Sequence, residues 1–162
     1  MDPLAAEDCP AVTVDDPNVQ VFGLLLEAHA RLTRNLDARL RADAGMSLQT
    51  LEVLLRVGRA PAGWVPVSAL ADTVALTSGG VTRLVDRLES EGLLSRERCH
   101  SDARVVELRL TEAGVSRLRE ALDAHLVHLT EEVGSPLAEA GADTAALGAA
   151  LDVLRGGPAA GR

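Results

Sequence analysis

The fold is decided by residues 78–114, which read SGGVTRLVDRLESEGLLSRERCHSDARVVELRLTEAG. A helical pattern ends at Gly92, and two runs with the alternation of strands follow at 94–98 and 104–110. The polar residues between these runs predict a turn, so the pair forms a hairpin. Thr111 can then cap a long helix, because its hydroxyl accepts a hydrogen bond from the first turn. The stretch therefore predicts a helix, a hairpin and a long helix in that order.

The preceding residues complete a helix-turn-helix with short helices at 68–75 and 78–91. Ala71 is small enough for the two helices to cross closely, whereas Ala75 departs from the glycine that is commonest in the turn. The apolar residues expected between the helices, counting from Val67, are Leu70, Val74, Leu76, Val81 and Leu84. Any pair of short amphipathic helices reproduces part of this pattern, so the pattern does not by itself identify a helix-turn-helix.

Apolar stripes at helical spacing predict the outer helices. One ends at Gly45, a second is capped by Ser47, and the long helix after Thr111 breaks at 134–141 before a last helix capped by Asp143. The stripe of the long helix consists of Val115, Leu118, Leu122, Leu126, Leu129 and Val133.

The expected fold class is mainly α with a small β-hairpin, a winged helix-turn-helix joined to a helical dimerisation bundle. Residues 1–17 form a mobile acidic tail, 18–44 and 112–156 the helical dimerisation region, and 45–111 the winged helix-turn-helix lobe. The outer helices have little of their own chain to cover their stripes, which favours a two-fold homodimer.

The net charge of −8 argues by itself against nucleic acid, because affinity for phosphate needs local positive charge. The basic residues are concentrated, however: residues 78–119 contain eight arginines against seven acids. All sixteen basic residues are arginine, which recognises phosphate and guanine better than lysine does. Net charge therefore does not decide the question.

The sequence disfavours several classes of protein. The two cysteines, Cys9 and Cys99, lie far apart and lack metal-type spacing. There is no signal-peptide pattern and no apolar run of the ~20 residues that a membrane span needs, so a cytoplasmic protein is expected. No phosphate loop, nucleophile elbow or HExxH motif occurs, so neither an enzyme nor a cofactor is predicted.

The second short helix is the candidate reading helix. Its small, polar start lets the backbone approach a groove, and Ser78, Gly79, Thr82 and Arg83 lie in the turns that meet base edges. Arg87 is better placed for phosphate. The alternative is that Arg83 and Arg87 are solvated surface, with Asp86 and Glu89 as their helical partners.

The sequence resembles the MarR family of winged-helix regulators. The resemblance lies in residues 76–89 and 91–93, and in the wing signature Asp102, Arg104, Leu110, Thr111 and Gly114. It implies a homodimeric, double-stranded DNA-binding transcriptional regulator with two reading helices in successive major grooves of a pseudo-palindrome. Arg104 would enter the minor groove with Asp102 holding its geometry, and Arg98 is assigned to the same interface. The alternative for Asp102 and Arg104 is a simple pair across a turn.

The resemblance also implies repression and a small aromatic or anionic effector between the bundle and the lobe. Candidate ligand-binding residues are His29, Arg31, Arg34, Arg56 and Trp64, each of which has an ordinary structural alternative. An interaction module that contacts protein instead of DNA remains the competing function.

Two further regulatory chemistries are open. Cys99, between Arg98 and His100, could be a redox switch because nearby positive charge lowers a thiol pKa. His125, His128 and Glu132 could line one helix face and bind zinc or nickel, but histidines of the core or of an interface are favoured.

Overall fold

The computed structural model describes residues 15–71, 78–98 and 106–156. Its elements in chain order are helix α1 (Pro17–Ala44), helix α2 (Leu48–Gly58), strand β1 (Val65–Pro66), helix α3 (Val67–Ala71), helix α4 (Ser78–Ser90), strand β2 (Leu94–Arg98), strand β3 (Val106–Leu110), helix α5 (Glu112–Leu129), a π-helical turn (Thr130–Gly134), helix α6 (Ser135–Glu139) and helix α7 (Thr144–Leu154). The predicted order of helices and strands is confirmed.

The junction between α1 and α2 forms as its residues predict. Gly45 ends α1 in the left-handed conformation, with φ 58°, which glycine adopts without steric cost. Ser47 caps α2 by accepting a hydrogen bond from the Thr50 N–H at 3.1 Å. The N–H of Leu48 donates to Asp37 of α1 at 2.8 Å, so a side chain of the first helix fixes the start of the second.

The sheet has three antiparallel strands in the order β1–β3–β2. The sequence predicts the β2–β3 hairpin and a short extended piece at 64–67, but not the pairing of that piece with β3. Val65 pairs with Leu108 and Pro66 with Glu107, which makes β3 the central strand. Pro66 can occupy this place because β1 is an edge strand, where a missing N–H leaves no ladder bond unmade.

The core lies where α2, α4 and β3 meet. Leu70, Val81 and Leu84 are buried as the helix-turn-helix pattern predicts. Val74, Ala75 and Leu76 lie outside the described residues. The largest fully buried side chains are Leu40, Leu51, Leu54, Leu70, Leu88, Leu94, Leu108, Val53, Val57, Val81 and Val85. An almost wholly aliphatic core thus holds α4 against α2 and the sheet.

Helix α5 buries a different face from the stripe that its leucines suggest. The residues buried on it are Gly114, Leu118, Ala121, His125 and His128, of which only Leu118 belongs to the predicted stripe. Leu126 is 52% exposed. The side of α5 that packs on α1 and α2 takes small residues and histidines, which leaves its leucine side open.

The predicted break at 134–141 is wrong at its start. Residues 130–139 continue the helix through the π-helical turn and α6, and the chain turns only at 140–141. Pro136 lies at the start of α6, directly after the π-helical turn.

The outer helices expose a large apolar surface. Its large exposed side chains are Val19, Val21, Phe22, Leu24, Leu26, Leu126, Val127, Leu147, Leu151, Val153 and Leu154. All of them lie on α1, α5 and α7, the helices assigned by sequence to dimerisation. Among the described residues, none of the helices has the length and apolar character of a membrane span.

Candidate nucleic-acid interface

Helix α4 has a buried face and an exposed face. Val81, Leu84, Val85 and Leu88 anchor it to the core. The opposite face leaves Gly79, Thr82 and Arg83 exposed near its N-terminus. Apart from the backbone of its own helix, no atom of the described residues lies within 4 Å of a Cβ placed on Gly79, so the backbone there is open to close approach. The helix begins at Ser78, of which the structure describes the backbone.

The two arginines of this helix are held differently. The Nε of Arg83 donates to the Gly79 carbonyl of its own helix at 3.2 Å. The Nη2 of Arg87 donates to the Thr50 hydroxyl of α2 at 3.0 Å, and its Nε lies 3.6 Å from Glu91. Arg87 therefore fixes α4 against α2 and still has a half-exposed side chain.

The acids of α4 are not the partners of these arginines. Asp86 and Glu89 both pair with Arg96 of β2, at 2.5 and 2.7 Å. The alternative in which Asp86 and Glu89 neutralise Arg83 and Arg87 is therefore wrong for the ion pairs of the described residues. Because Arg96 compensates both carboxylates from the strand, they oppose an approaching polyanion less.

The structure describes the two strands of the wing, β2 and β3. Arg109 of β3 donates to Glu97 and Glu107, both at 3.1 Å, which ties the sheet together across its face. Arg98 ends β2 opposite Val106, and its side chain is not described. Cys99, Asp102 and Arg104 lie outside the described residues, so their roles stay predictions.

Thr111 joins the wing to α5. Its hydroxyl donates to the Gly92 carbonyl at 2.6 Å and accepts from the Gly114 N–H at 2.9 Å. A Cβ on Gly114 would lie 2.0 Å from the Leu93 carbonyl oxygen, closer than any side chain can stand. Glycine at 114 therefore lets the first turn of α5 pack against Leu93 while Thr111 caps the helix.

The MarR family model matches residues 46–106, which run from the start of α2 to the first residue of β3. Over this stretch the chain is similar to the MarR family. Its fold is similar over 88% of its length to Sco3205, a MarR family transcriptional regulator from Streptomyces coelicolor solved in complex with DNA. The TM-score is 0.74 at 26% identity, and 89% of that chain is covered.

Two relatives of this chain come from Bacillus subtilis strain 168. The HTH-type transcriptional regulator MhqR is 32% identical over 68 residues, which cover 42% of this chain and 47% of MhqR. The HTH-type transcriptional repressor MdtR is 34% identical over 43% of this chain and 50% of MdtR. The chain thus spans about half the length of the curated relatives that it matches.

The predicted effector residues are scattered over the described structure. His29 and Arg34 are exposed on α1, and Arg31 donates to Glu132 at 3.3 Å. Arg56 lines a cavity of about 480 Å³ beside β1, together with Arg155. Trp64 is half-buried just before β1 and does not line this cavity. These five residues do not form one site in the described chain.

The histidine pair is part of the core. His125 and His128 are 7% and 2% exposed, which confirms the interpretation favoured by sequence. The Nε2 of His128 lies 2.7 Å from Asp43 of α1, while Glu132 pairs with α1 through Arg31 and Arg39. The described residues contain no group of three ligands that could hold a metal ion.

Proposed function

We propose that this protein is a sequence-specific, double-stranded DNA-binding transcriptional regulator that acts as a homodimeric repressor. The observation that carries the proposal is the exposed N-terminal half of α4, where Thr82 and Arg83 stand beside the open backbone of Gly79. Such a start can enter a major groove, with Ser78, Thr82 and Arg83 at base edges and Arg87 at a phosphate. The DNA complex of Sco3205 supports this use of the fold.

The wing is the second DNA contact of the proposal. Arg104 enters the minor groove, where a narrow A·T-rich stretch concentrates negative potential, and Asp102 orients it. Arg98 stands at the end of β2 and contacts the DNA backbone in this proposal. Thr111 and Gly114 contribute indirectly because they fix the wing on α5.

The lobe and the helical dimerisation region have different roles in this proposal. Residues 45–111 bind DNA, and residues 18–44 and 112–156 dimerise through the exposed apolar surface of α1, α5 and α7. A two-fold dimer presents two copies of α4 to successive major grooves, so the operator is a pseudo-palindrome. A small aromatic or anionic effector then changes the spacing of the two copies. Such a regulator works in the cytoplasm and catalyses no reaction.

The test compares Arg83→Gln with Arg119→Gln, a matched loss of one charge at an exposed position of α5. A duplex recovered by selection on genomic fragments serves as the operator, and binding is measured by fluorescence anisotropy over a range of salt. Arg83→Gln should weaken operator binding by about 1–3 kcal/mol and narrow the preference over random duplex, since a base contact is lost. Arg104→Ala should lower the salt slope by about one per subunit.

Arg119→Gln should leave operator binding nearly unchanged. A wild-type protein with no salt-dependent duplex binding contradicts the proposal and favours the protein-interaction module instead.

A further inference from the structure

A cleft of about 620 Å³ separates the start of α2 from α4. Four arginines from three helices line it: Arg41 of α1, Arg83 and Arg87 of α4, and Arg117 of α5. Glu91 is the only carboxylate among the lining residues that the structure describes. Of the four arginines, Arg41 and Arg117 belong neither to the reading helix nor to the wing, so the proposed interface does not use them.

Neutral acceptors hold three of these arginines. Arg117 donates through Nη2 to the Ala44 carbonyl at the end of α1. Arg87 donates to the Thr50 hydroxyl and Arg83 to the Gly79 carbonyl. A neutral acceptor restricts a guanidinium without cancelling its charge, so the remaining N–H groups are oriented in advance for an anion.

The nearby acids compensate these charges only in part. Arg41 donates to Asp37 at 2.7 Å, but Asp37 also accepts the Leu48 N–H and does not line the cleft. The carboxylates nearest Arg87 and Arg117, those of Glu91 and Glu120, stand at 3.6 and 3.5 Å. The cleft therefore keeps an excess of positive charge.

We propose that this cleft binds a phosphate group, with Arg41 and Arg117 as contributors beyond the helix-turn-helix and the wing. Guanidinium groups match phosphate oxygens with paired N–H donors, and an arginine-lined cleft offers several such pairs. The phosphate can belong to the DNA backbone flanking α4, a source that rests on the proposed function. It can also belong to a free phosphorylated molecule, for which the cleft volume is ordinary.

The position of the cleft lets a free phosphorylated molecule compete with DNA for Arg83. Arg83 lines the cleft and also lies on the exposed face of α4. A free phosphorylated molecule that engages Arg83 from the cleft removes it from the DNA, because one guanidinium cannot serve both. Such a ligand releases the operator without moving a domain.

The test uses the full chain with Arg41→Gln and Arg117→Gln, and with Arg119→Gln as the control on the same helix as Arg117. Arg41 is 60% exposed, so its variant folds even where Arg117→Gln loses the bond to α1. The first arm measures duplex affinity against salt. The second measures the melting temperature and the heat of binding with inorganic pyrophosphate, against chloride of equal ionic strength.

Backbone contact predicts about tenfold weaker duplex binding by both variants than by Arg119→Gln, with a lower salt slope. A free ligand predicts that pyrophosphate stabilises the wild type but neither variant, with their duplex affinity unchanged. Either result supports the phosphate site and names its source.

If both variants match Arg119→Gln in both arms while the wild type binds duplex DNA, the site is refuted and the proposed function stands. If the wild type does not bind duplex DNA, the proposed function fails. The pyrophosphate arm then decides the site alone.

Discussion

Gly114 is packed closely against the backbone of Leu93. An added Cβ would lie 2.0 Å from the Leu93 oxygen and 3.0 Å from its carbonyl carbon, both of them backbone atoms that cannot rotate away. We expect Gly114→Ala to lower the free energy of unfolding by about 3 kcal/mol, at the upper end of overpacking effects, by pushing α5 off the wing. Thermal and urea denaturation measure this loss.

Gly148→Ala is the matched control, because a Cβ at Gly148 meets nothing within 4 Å and the residue lies inside α7. Alanine forms helix better than glycine, so this variant should be unchanged or more stable by up to about 1 kcal/mol. Equal stability of the two variants would show that the Leu93–Gly114 contact does not constrain the fold.

His125 makes stability depend on pH. Burial holds its pKa below the ordinary 6.5, and repulsion from His128 lowers that pKa further. Between 6.5 and the lowered pKa, the unfolded chain binds a proton that the native state does not. The free energy of unfolding therefore falls as pH drops through this window, by at most about 1.4 kcal/mol per pH unit for one proton.

Replacing His125 with leucine should flatten this dependence. Its Nδ1 is buried without a hydrogen-bond partner in the described structure, so an apolar side chain leaves no acceptor newly unsatisfied. Urea denaturation of wild type and His125→Leu from pH 7 to 5 gives the slopes. His29→Leu, at an exposed histidine of α1, should keep the wild-type slope. A parallel slope for His125→Leu would assign the dependence to other groups.

Among the elements, those specified by local chemistry were predictable and those specified by distant partners were not. Ser47, Thr111 and Asp143 cap their helices as expected, because each cap is decided within three residues. Strand β1 is two residues long, and only its pairing with β3, some forty residues later, makes it a strand. The cleft arginines likewise come from three helices, and no local spacing relates Arg41 to Arg117.

The continuation of α5 through the π-helical turn has the same cause. Glu132 accepts from Asn35 at 3.2 Å and from Arg31 at 3.3 Å, and Arg39 lies 3.6 Å away. These contacts with α1 hold residues 130–134 in a helical turn that their glycine alone would not predict. A π-helical turn shifts the helix face and brings such a side chain into reach.

Glu132→Ala should therefore loosen the end of α5. We expect a loss of about 1 kcal/mol in the free energy of unfolding, because Glu132 is mostly buried while its partner Arg31 is exposed. Hydrogen exchange should also become faster in 130–139. Glu139→Ala, on exposed α6, is the control and should change neither quantity. Unchanged exchange in Glu132→Ala would mean that the turn forms without α1.

At the scale of the whole molecule, charge and apolar surface are segregated. The exposed start of α4 lies on the lobe and the arginine-lined cleft lies where the lobe meets α1 and α5, while the large exposed apolar side chains lie elsewhere on α1, α5 and α7. A net charge of −8 is compatible with DNA binding because affinity depends on this local arrangement and not on the sum. In the proposed function, dimerisation and DNA binding are linked, because a monomer presents only one reading helix.

The exposed apolar surface of α1, α5 and α7 can be tested as the subunit interface. Leu126→Glu places a charge in the apolar surface at a position that is 52% exposed, so the fold of the single chain should tolerate it. A two-fold interface would bury two copies of this carboxylate, and desolvation and mutual repulsion should together dissociate the dimer. Sedimentation velocity should therefore show a dimeric wild type and a monomeric variant. Operator affinity should fall by more than any single arginine substitution causes, because one of two half-sites is lost.

Ser116→Glu adds the same charge to an exposed site on the lobe end of α5 and should remain dimeric. A dimeric Leu126→Glu with intact operator binding would exclude this surface from the subunit interface.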